Sequence, residues 1–393
     1  MGAGSGRAAR FADSDRAMKK ISLVIDSRAI RNSGIGVYLQ KLLPHILESG
    51  NYRISLLGKK QTVQEAFAAN EPEVSLEGIT IIECGTGIYT LLEQAEIPLK
   101  VPQSDIFWSP HYNIPLLPIR ARHRVVTIHD VYHLAYLHTL SRIERLYART
   151  VIPLAARLSE KVITVSAFSK SEIVKYTGIG PEKIEVIHNG VDSAAFRDTK
   201  RKKDDGVSPS DPYLLYVGNV KPHKNVIGLI NAFVTVRKSF PDVKLVIVGK
   251  RDHFIHGIDN LDEYVTSLGI DRQIVFTGFV GNDELCRLYK NARVFVFPSF
   301  YEGFGLPPLE AMASGVPVVV SRSASLPEVC GDAAMYVDPH NPQDIARGII
   351  RVLREGLLIN ELVDKGLVRA AGFSWKASAE KHMKIFEAFC ATR

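Results

Sequence analysis

Short runs of β-branched and aliphatic residues alternate with amphipathic helical stretches along almost the whole chain, and this alternation constrains the fold more than any other feature. Strands that are apolar along their whole length are typical of parallel sheets covered by helices on both faces. The runs fall into two series, so the pattern predicts two doubly wound α/β domains. The first series is Ile21–Asp26, Ile54–Leu57, Ile79–Glu83, Ile106–Trp108, Val125–Ile128 and Val162–Val165, and the second is Tyr213–Val217, Lys244–Val248, Ile274–Thr277, Val294–Phe297 and Val318–Val320.

The domain boundaries follow from the segment between the two series. Residues 198–212 are rich in Lys, Arg, Asp, Ser and Pro, which is typical of a linker. We therefore expect a disordered leader over residues 1–18, an N-terminal domain over 19–200 and a C-terminal domain over 207–373. A last helix over 374–393 is expected to pack back on the N-terminal domain.

The composition of the chain limits the classes of binding partner and the cellular compartment that we expect. The net charge of +7 favours an anionic partner, such as a nucleotide or an anionic lipid headgroup. Nucleic acid is not expected, because the chain carries no RNA-recognition or zinc-finger signature. The four cysteines are scattered without a CxxC pair, which favours a reducing cytoplasm. No apolar run approaches the roughly 20 residues that span a bilayer.

A glycine-containing turn between Glu302 and Glu310 carries the most specific chemistry. It follows the predicted strand Val294–Phe297, and ligands of doubly wound domains bind beyond the carboxyl ends of the strands. Gly303 and Gly305 allow a ligand to approach the backbone closely, and the next residues start a helix. The free N–H groups and the dipole of that first helical turn favour a phosphate.

This segment resembles the E-x7-E signature of the family-4 (group 1) retaining glycosyltransferases of GT-B fold, in which two Rossmann-like domains enclose a cleft. The resemblance implies that Glu302 contacts hydroxyls of the donor sugar and that Glu310 contacts the nucleotide ribose. It also implies that the backbone amides at Phe304, Gly305 and Leu306 hold the diphosphate. On the residues alone, the alternative is one solvated glutamate and one glutamate on a helix face.

A basic segment follows the first strand of the second series. Gly218 ends that strand, and Lys221 and Lys224 stand near the start of the next helix, where a cation would neutralise a departing diphosphate. The segment resembles the family's phosphate-gripping segment, and Lys224 matches it well. Asn219 departs from it, because many members have Arg there, so the second cation is left to Lys221 or to another residue. The alternative is that both lysines are ordinary surface residues.

His129 and Asp130 end a strand of the first series. They resemble the family's His-Asp pair at the cleft, in which the histidine lies near the C6 hydroxyl of the sugar. A lone histidine is more often structural than catalytic, but a position directly after a strand favours function. With Glu302 and Lys224, His129 is a catalytic candidate, and a closed cleft is needed to bring these residues together.

The turn after the first strand contains Arg28, Gly34 and Gly36. Its glycines do not fit G-x-G-x-x-G and no suitably spaced acidic residue follows, so a nicotinamide dinucleotide is not expected. The resemblance implies that this loop lies near the acceptor and the donor phosphate, with Asp130 nearby. Arg28 is equally compatible with a surface cation.

Arg142, Arg145 and Arg149 recur at helical spacing, and a second basic cluster lies at residues 120–124. Such a face can bind anionic lipid headgroups. Because no facing run of bulky apolar residues is evident, a solvated face is favoured, and peripheral contact with a membrane stays the alternative.

Taken together, the sequence and the family resemblance predict a retaining hexosyltransferase. No metal is expected, and no cofactor is expected because the nucleotide sugar is a substrate. The only Asp-x-Asp pair, Asp13 and Asp15, lies in the expected leader. The segment Asp26–Tyr38 is similar to that of polysaccharide mannosyltransferases, which makes GDP-mannose the first choice of donor and a glycan or lipid-linked glycan the expected acceptor. A nucleotide-sugar epimerase of the same fold and a non-catalytic nucleotide-sugar-binding protein remain the alternatives.

Overall fold

The computed structural model describes residues 20–197, 212–250 and 261–391. They form two parallel sheets, one in each half of the chain, with helices on both faces. The expected leader lies outside the described residues, and so does the expected linker between the domains apart from Pro212. The boundaries at residues 200 and 207 therefore stay predictions, whereas the predicted fold class of two doubly wound α/β domains is confirmed.

The N-terminal sheet has seven strands in the order β3-β2-β1-β4-β5-β6-β7. All of its pairings are parallel, and the central strand β4 is buried along its whole length, including its polar residues Ser104, Asp105 and Ser109. The elements are β1 (Ile21–Asp26), α1 (Ser33–Glu48), β2 (Tyr52–Leu57), α2 (Lys60–Asn70), β3 (Thr80–Ile82), α3 (Glu93–Lys100), β4 (Ser104–Ser109), β5 (Ala121–Thr127), α4 (Tyr132–Ala135), α5 (Arg142–Leu158), β6 (Lys161–Thr164), α6 (Ala167–Thr177), β7 (Ile184–Val186) and α7 (Ser193–Arg197).

The C-terminal sheet has six parallel strands in the order β10-β9-β8-β11-β12-β13. Its core is a single large cluster of buried aliphatic and aromatic side chains between the sheet and its helices. The elements are β8 (Tyr213–Val217), α8 (Val226–Ser239), β9 (Lys244–Val248), α9 (Leu261–Ser267), β10 (Ile274–Gly278), α10 (Asn282–Asn291), β11 (Val294–Phe297), α11 (Leu306–Ala313), β12 (Val318–Ser321), α12 (Leu326–Cys330), β13 (Ala334–Val337), α13 (Pro342–Arg354), α14 (Gly356–Ala371) and α15 (Trp375–Ala391).

The predicted strands are all present, and the sequence pattern missed only β7 and β13 among the described strands. Both are edge strands of three or four residues. In β7 the middle residue, Glu185, is exposed, and in β13 two of the four residues are only partly buried. In β7 the polar Glu185 interrupts the apolar run by which the other strands are recognised, whereas β13 is apolar and its pattern does not explain why it was missed.

The last helix, α15, returns to the N-terminal domain as expected. Trp375 and Phe386 lie in the core of that domain, and the Phe386 ring is 5.5 Å from the Trp108 ring. The chain crosses between the domains beside Gly190, where a Cβ would stand 2.1 Å from the backbone nitrogen of Trp375. Glycine is therefore required at this crossing, because any side chain would clash with backbone.

The strand orders contain one switch point in each sheet, where the chain reverses its direction of growth. These lie between β1 and β4 in the N-terminal sheet and between β8 and β11 in the C-terminal sheet. In doubly wound folds, the crevice outside such a point is the usual ligand site. Within the part of the chain that the structure describes, no helix is both long and apolar enough to span a bilayer.

Candidate functional site

Lys224 and Glu302 meet at the C-terminal switch point. The Nζ of Lys224 is 2.6 Å from both carboxylate oxygens of Glu302. The two side chains are 20% and 10% exposed, respectively, so the pair is largely shielded but still reachable from the cleft. A carboxylate and an ammonium at this distance interact strongly in a partly dehydrated site, and both can exchange partners when a charged ligand enters.

Backbone ties between the loops after β8 and β11 bring this pair together. Asn225 adopts a left-handed conformation (φ 56°) and caps α8 by accepting a hydrogen bond from the N–H of Gly228. Its side-chain amide donates to the carbonyl of Pro298 at 3.0 Å, and Phe300 N–H donates to the carbonyl of His223 at 2.8 Å. Because the two loops are joined on either side of Lys224, the lysine is held against the loop that carries Glu302.

The turn that opens α11 presents free backbone donors. Gly305 has φ 111°, and a Cβ there would lie 2.7 Å from Cδ2 of Leu326, so this position requires glycine. The N–H groups of Phe304, Gly305 and Leu306 have no hydrogen-bond partner among the described residues. The next two residues are prolines and have no N–H, so these three amides are the donors that this helix start offers to an anion.

Ser325 buttresses the same turn from α12's N-terminal side. Its Oγ lies 2.9 Å from the carbonyl of Glu302 and 2.8 Å from the carbonyl of Phe304, which fixes the backbone on both sides of Gly303. The serine is fully buried. Sequence reasoning missed this residue, since nothing near Ser325 in the chain signals a contact with a turn more than twenty residues earlier.

Glu310 lies on α11, beyond the free amides. The hydroxyl of Tyr289 donates to its Oε2 at 2.7 Å. Burial raises the pKa of Glu310, and the hydrogen bond from Tyr289 and the positive charge of Lys41 oppose this rise. Since Lys41 belongs to α1 of the N-terminal domain, Glu310 faces the interdomain cleft.

His129 and Asp130 stand at the end of β5 on the opposite wall of the cleft. Nε2 of His129 lies 2.9 Å from the carbonyl of Pro110, which can only accept, so Nε2 carries the proton and Nδ1 is left as an acceptor. Burial lowers the pKa of His129, which favours this neutral form. Oδ1 of Asp130 accepts from the N–H of Tyr132, the first residue of α4, at 2.9 Å.

The two walls touch at Gly303. A Cβ on Gly303 would stand 2.6 Å from the carbonyl oxygen of His129 and 3.1 Å from Oδ2 of Asp130. The carbonyl of Gly303 accepts hydrogen bonds from Ser166 Oγ at 2.7 Å and Ser169 Oγ at 3.1 Å, both in the N-terminal domain. Glu302 and His129 are therefore brought together across the cleft. Ser166 and Ser169 were missed, although the serine that follows β6 has the sequence signature of a helix N-cap.

The residues of the loop after β8 make different kinds of contact. Oδ1 of Asn219 accepts from the N–H of Lys250 at 3.3 Å, so Asn219 ties its loop to the loop after β9. The carbonyl oxygen of Gly218 packs against Gly249, and a Cβ on Gly249 would lie 2.3 Å from this oxygen. Lys221 is exposed, and its charge is one of the causes that lower the pKa of His133 and of His223. The role of Lys221 as the second cation therefore stays a prediction.

Arg28 is not a surface cation. Its guanidinium donates to both oxygens of Asp26 and, at 2.7 Å, to Oε2 of Glu93, and its side chain is only 4% exposed. The surface interpretation of Arg28 is therefore wrong, and its donors are occupied by carboxylates. Gly36 needs to be glycine because a Cβ would lie 2.2 Å from the carbonyl of Ile30, whereas Gly34 is exposed with open space around it.

Aromatic side chains between the walls were not anticipated. The ring of Tyr132, on α4, is 4.2 Å from the ring of His223 and 5.9 Å from the ring of Tyr301, both in the C-terminal domain. Tyr136 and Phe168 add further N-terminal-domain rings, at 5.7 and 5.4 Å from Tyr301. Tyr301 directly precedes Glu302, so this cluster packs beside the ion pair.

Comparisons with known proteins agree with this geometry. The family model described as Glycosyl transferases group 1 matches residues 197–367, and the model described as Glycosyltransferase Family 4 matches residues 91–195. The first model therefore covers Lys224, Glu302 and Glu310, and the second covers His129 and Asp130.

Similar sequences include O-antigen mannosyltransferases. The chain is 32% identical over 293 residues to O-antigen chain mannosyltransferase B of Escherichia coli, a match that covers 69% of this chain and 71% of that protein. It is 33% identical over 254 residues to the O-antigen chain mannosyltransferase RfbU of Salmonella typhimurium, covering 64% of this chain and 66% of that one. A serotype-specific mannosyltransferase WbdA of Escherichia coli matches at 32% identity, and this match spans only 28% of its length.

Solved structures share the fold over almost the whole chain. Anabaena HepE in complex with UDP and glucose has a TM-score of 0.71 at 16% identity, covering 94% of this chain and 100% of that chain. Sucrose-phosphate synthase of Thermosynechococcus elongatus has a TM-score of 0.73 at 18% identity, covering 95% and 100%. At these identities the likeness establishes the fold alone, which is GT-B. With the extended match to the Escherichia coli relative, the chain belongs to the group 1, family-4 glycosyltransferases.

Proposed function

We propose that this chain transfers a mannosyl residue from GDP-mannose to a glycan acceptor of a cell-surface polysaccharide, with retention of anomeric configuration and without a metal ion. The observation that carries the proposal is the Lys224–Glu302 pair beside the three unpartnered amides at the start of α11. This arrangement offers positive charge for a diphosphate and a carboxylate for sugar hydroxyls at one point of the cleft.

The donor diphosphate fits the amides of Phe304, Gly305 and Leu306, with the positive end of the α11 dipole behind them. Lys224 then shifts from Glu302 towards the phosphates, where it neutralises the charge that develops on the leaving group. Glu302, released from the lysine, accepts hydrogen bonds from hydroxyls of the sugar. Glu310, further along α11, takes the ribose hydroxyls. Among the described residues, no group of three or more His, Cys, Asp or Glu side chains could hold a metal ion, so the proposal assigns charge neutralisation to these donors.

The stereochemistry rests on which carboxylates can reach the reacting carbon. A double-displacement retaining mechanism needs a nucleophilic carboxylate and a second carboxyl group about 5 Å from it. We assign Glu302 to the sugar hydroxyls, and Oδ1 of Asp130 accepts from the N–H of Tyr132, so we assign neither carboxylate as the nucleophile. We therefore propose a same-face substitution. The C1–O bond to the diphosphate breaks as the acceptor oxygen bonds C1, and the acceptor proton passes to the departing phosphate oxygen.

The donor assignment rests on the relatives, which are named mannosyltransferases, and on the segment Asp26–Tyr38. A panel of GDP-mannose, UDP-glucose and UDP-N-acetylglucosamine, each with and without EDTA, tests it through release of nucleoside diphosphate. We expect release from GDP-mannose alone, unchanged by EDTA and lost in Glu302→Ala. Preference for another donor, or loss of activity with EDTA, would overturn that part of the proposal.

The product decides between transfer and its alternatives. NMR of the purified product is expected to show a new α-linked mannose, since GDP-mannose carries the sugar in the α configuration. A β linkage would reject retention. Conversion of the sugar nucleotide into its epimer without an acceptor would identify an epimerase, and tight binding without turnover would identify a binding protein.

We also propose that the protein works at the cytoplasmic face of a membrane, on a lipid-linked acceptor. The first turns of α5 expose Ile143 (82%) and Leu146 (69%) among Arg142, Arg145 and Arg149. Bulky apolar residues thus do accompany the arginines, contrary to the expectation from the sequence. Such a mixed face binds anionic bilayers. Flotation with phosphatidylglycerol vesicles should retain the protein, and Ile143→Ser with Leu146→Ser should release it. If the double variant floats with the vesicles like the wild type, the proposal that this surface binds the membrane is contradicted.

A further inference from the structure

Tyr89 is an unusual residue that the donor site does not use. It is a non-glycine residue in the left-handed region (φ 67°), where bulky side chains are rarely found, and its side chain is 45% exposed. A conformation of this kind persists only where the surrounding structure enforces it, and such positions cluster at binding sites. Backbone strain by itself assigns no function, so the function of Tyr89 has to be inferred from the residues that contact it.

Three other aromatic side chains hold the Tyr89 ring. Its hydroxyl is 3.1 Å from Nε2 of His111, and its centroid lies 5.6 Å from His111, 6.1 Å from Tyr112 and 6.0 Å from Tyr147. We call these four residues the aromatic platform. Burial lowers the pKa of His111 to about 3, so its ring is neutral at physiological pH. The platform thus combines a partly exposed aromatic side chain with hydroxyl groups and an uncharged imidazole.

A buried polar network supports the platform from behind. Arg28 binds Asp26 and Glu93, and Oε2 of Glu93 also accepts from the side-chain amide of Asn113 at 2.7 Å. Asn113 in turn accepts a hydrogen bond from the hydroxyl of Tyr147. Glu93 is completely buried, and its Oε1 has no hydrogen-bond partner among the described residues. A buried carboxylate with an unused acceptor is costly, and in a ligand site it is a ready partner for a hydroxyl or a bridging water.

The platform lies at the N-terminal switch point, next to the donor site. Pro110, which directly precedes His111, accepts the hydrogen bond from His129, and His129 in turn packs against Gly303. On the other side, the Tyr112 ring is 5.9 Å from the ring of His133 on α4. The platform is therefore connected through Pro110 and His129 to the wall of the cleft that touches Gly303.

We propose that the aromatic platform is the acceptor subsite, which binds the terminal neutral pyranose of the acceptor glycan by stacking it on the exposed face of Tyr89. Pyranose rings present an apolar C–H face and a rim of hydroxyls, which match an aromatic face bordered by Tyr and neutral His side chains. The inference rests on the proposed function. It adds the position and the chemical class of the acceptor terminus, with Arg28 and Glu93 as positioning residues.

The test uses methyl α-mannoside and an octyl α-mannoside as acceptor probes, with Tyr89→Gly, Tyr89→Phe and Leu99→Ala. Tyr89→Gly removes the ring and suits the left-handed backbone, and thermal unfolding checks that the variant remains folded. We expect its acceptor KM to rise about tenfold, the equivalent of one lost ring contact of about 1.4 kcal/mol. Tyr89→Phe keeps the ring and should stay within about threefold. Leu99→Ala, an exposed apolar side chain on α3 (81%), should match the wild type.

Two further measurements separate this inference from the proposed function. Binding of GDP and acceptor-independent hydrolysis of GDP-mannose should be unchanged in Tyr89→Gly, and saturation-transfer NMR should show loss of contact between methyl α-mannoside and the protein. An unchanged acceptor KM and NMR contact in Tyr89→Gly would overturn the platform while leaving the transferase intact. Absence of transfer by the wild type with every donor and acceptor would instead overturn the proposed function.

Discussion

The two switch points of this protein are built in opposite ways. At the C-terminal one, between β8 and β11, three backbone amides have no hydrogen-bond partner among the described residues, and the Lys224–Glu302 ion pair stands at the cleft. At the N-terminal one, between β1 and β4, the charges are buried and paired, and aromatic rings face the cleft. A diphosphate needs exposed donors, whereas a neutral sugar needs a flat apolar face. Under the proposed function, the two crevices bind different ligands because each leaves different groups available in the same type of fold.

The largest expected effect is a loss of stability when the buried ion pairs at the N-terminal switch point are broken. Arg28→Ala leaves Asp26 and Glu93 as buried, uncompensated carboxylates, so the free energy of unfolding should fall by about 3–5 kcal/mol. Urea denaturation measures it. Arg31→Ala is the matched control three residues on, because the Arg31–Glu65 pair is exposed (58% and 43%) and should contribute at most about 1 kcal/mol. Equal losses in the two variants would contradict a structural role for the Arg28 network.

Removing the cation tests the C-terminal side. Lys224→Ala should lower kcat for mannosyl transfer by about 10²–10³-fold, because the developing charge on the diphosphate loses its main side-chain partner. Steady-state kinetics with GDP-mannose provide the measurement. Lys365→Ala, a lysine in exposed surface ion pairs on α14, is the control and should leave kcat unchanged. A fall of less than about fivefold for Lys224→Ala would argue that another group neutralises the leaving diphosphate.

Contact between the two sides can be broken at Gly303. An alanine there would press its Cβ against the carbonyl of His129, at 2.6 Å, so we expect overpacking of about 1–3 kcal/mol at the domain contact. GDP-mannose turnover should fall, and small-angle scattering should show a more open molecule. Gly281→Ala, where a Cβ meets nothing within 4 Å, should change neither property. A fully active, compact Gly303→Ala protein would mean that this contact is not needed.

The smallest expected effect concerns Glu310 and pH. Because burial raises its pKa, Glu310 binds its proton more tightly in the folded than in the unfolded protein. Its contribution to stability is therefore complete below its unfolded pKa and is lost as the pH rises through the folded value. Glu310→Gln should thus stabilise the free protein more at pH 7 than at pH 4, while weakening GDP binding. Thermal unfolding at the two pH values, with Glu361→Gln on the exposed face of α14 as control, measures it. Equal melting shifts at both pH values would contradict the sign.

The two sides also differed in how far they could be predicted. The donor side is readable because its geometry depends on residues that are close together in the chain. Gly305 supplies the left-handed turn, the prolines remove competing donors, and Glu302 precedes the turn directly. Local backbone requirements of this kind are specified by residue type, so the sequence predicts the free amides. The meeting of Lys224 with Glu302 needed one further condition, that β8 and β11 are neighbours.

The platform side could not be predicted in the same way. Its residues come from the loops after β1 and β4, from the segment before α3 and from α5. None of Tyr89, Glu93 or Asn113 belongs to a recognisable motif, and Arg28 was equally compatible with a surface cation. The serines that hold Gly303 and Glu302 in place, Ser166 and Ser325, are likewise far from them in the chain.

By itself, the sequence determined the doubly wound fold class, the family and the backbone chemistry of the phosphate turn, because these depend on residue periodicity and on local conformational limits. Only the tertiary structure decided which charged side chains pair with one another and which remain available to a ligand. That outcome depends on side chains brought together from distant segments, since an ion pair such as Arg28–Glu93 is set by packing and not by spacing. The contact of Gly303 with His129 was decided in the same way, by how closely two separately folded domains approach.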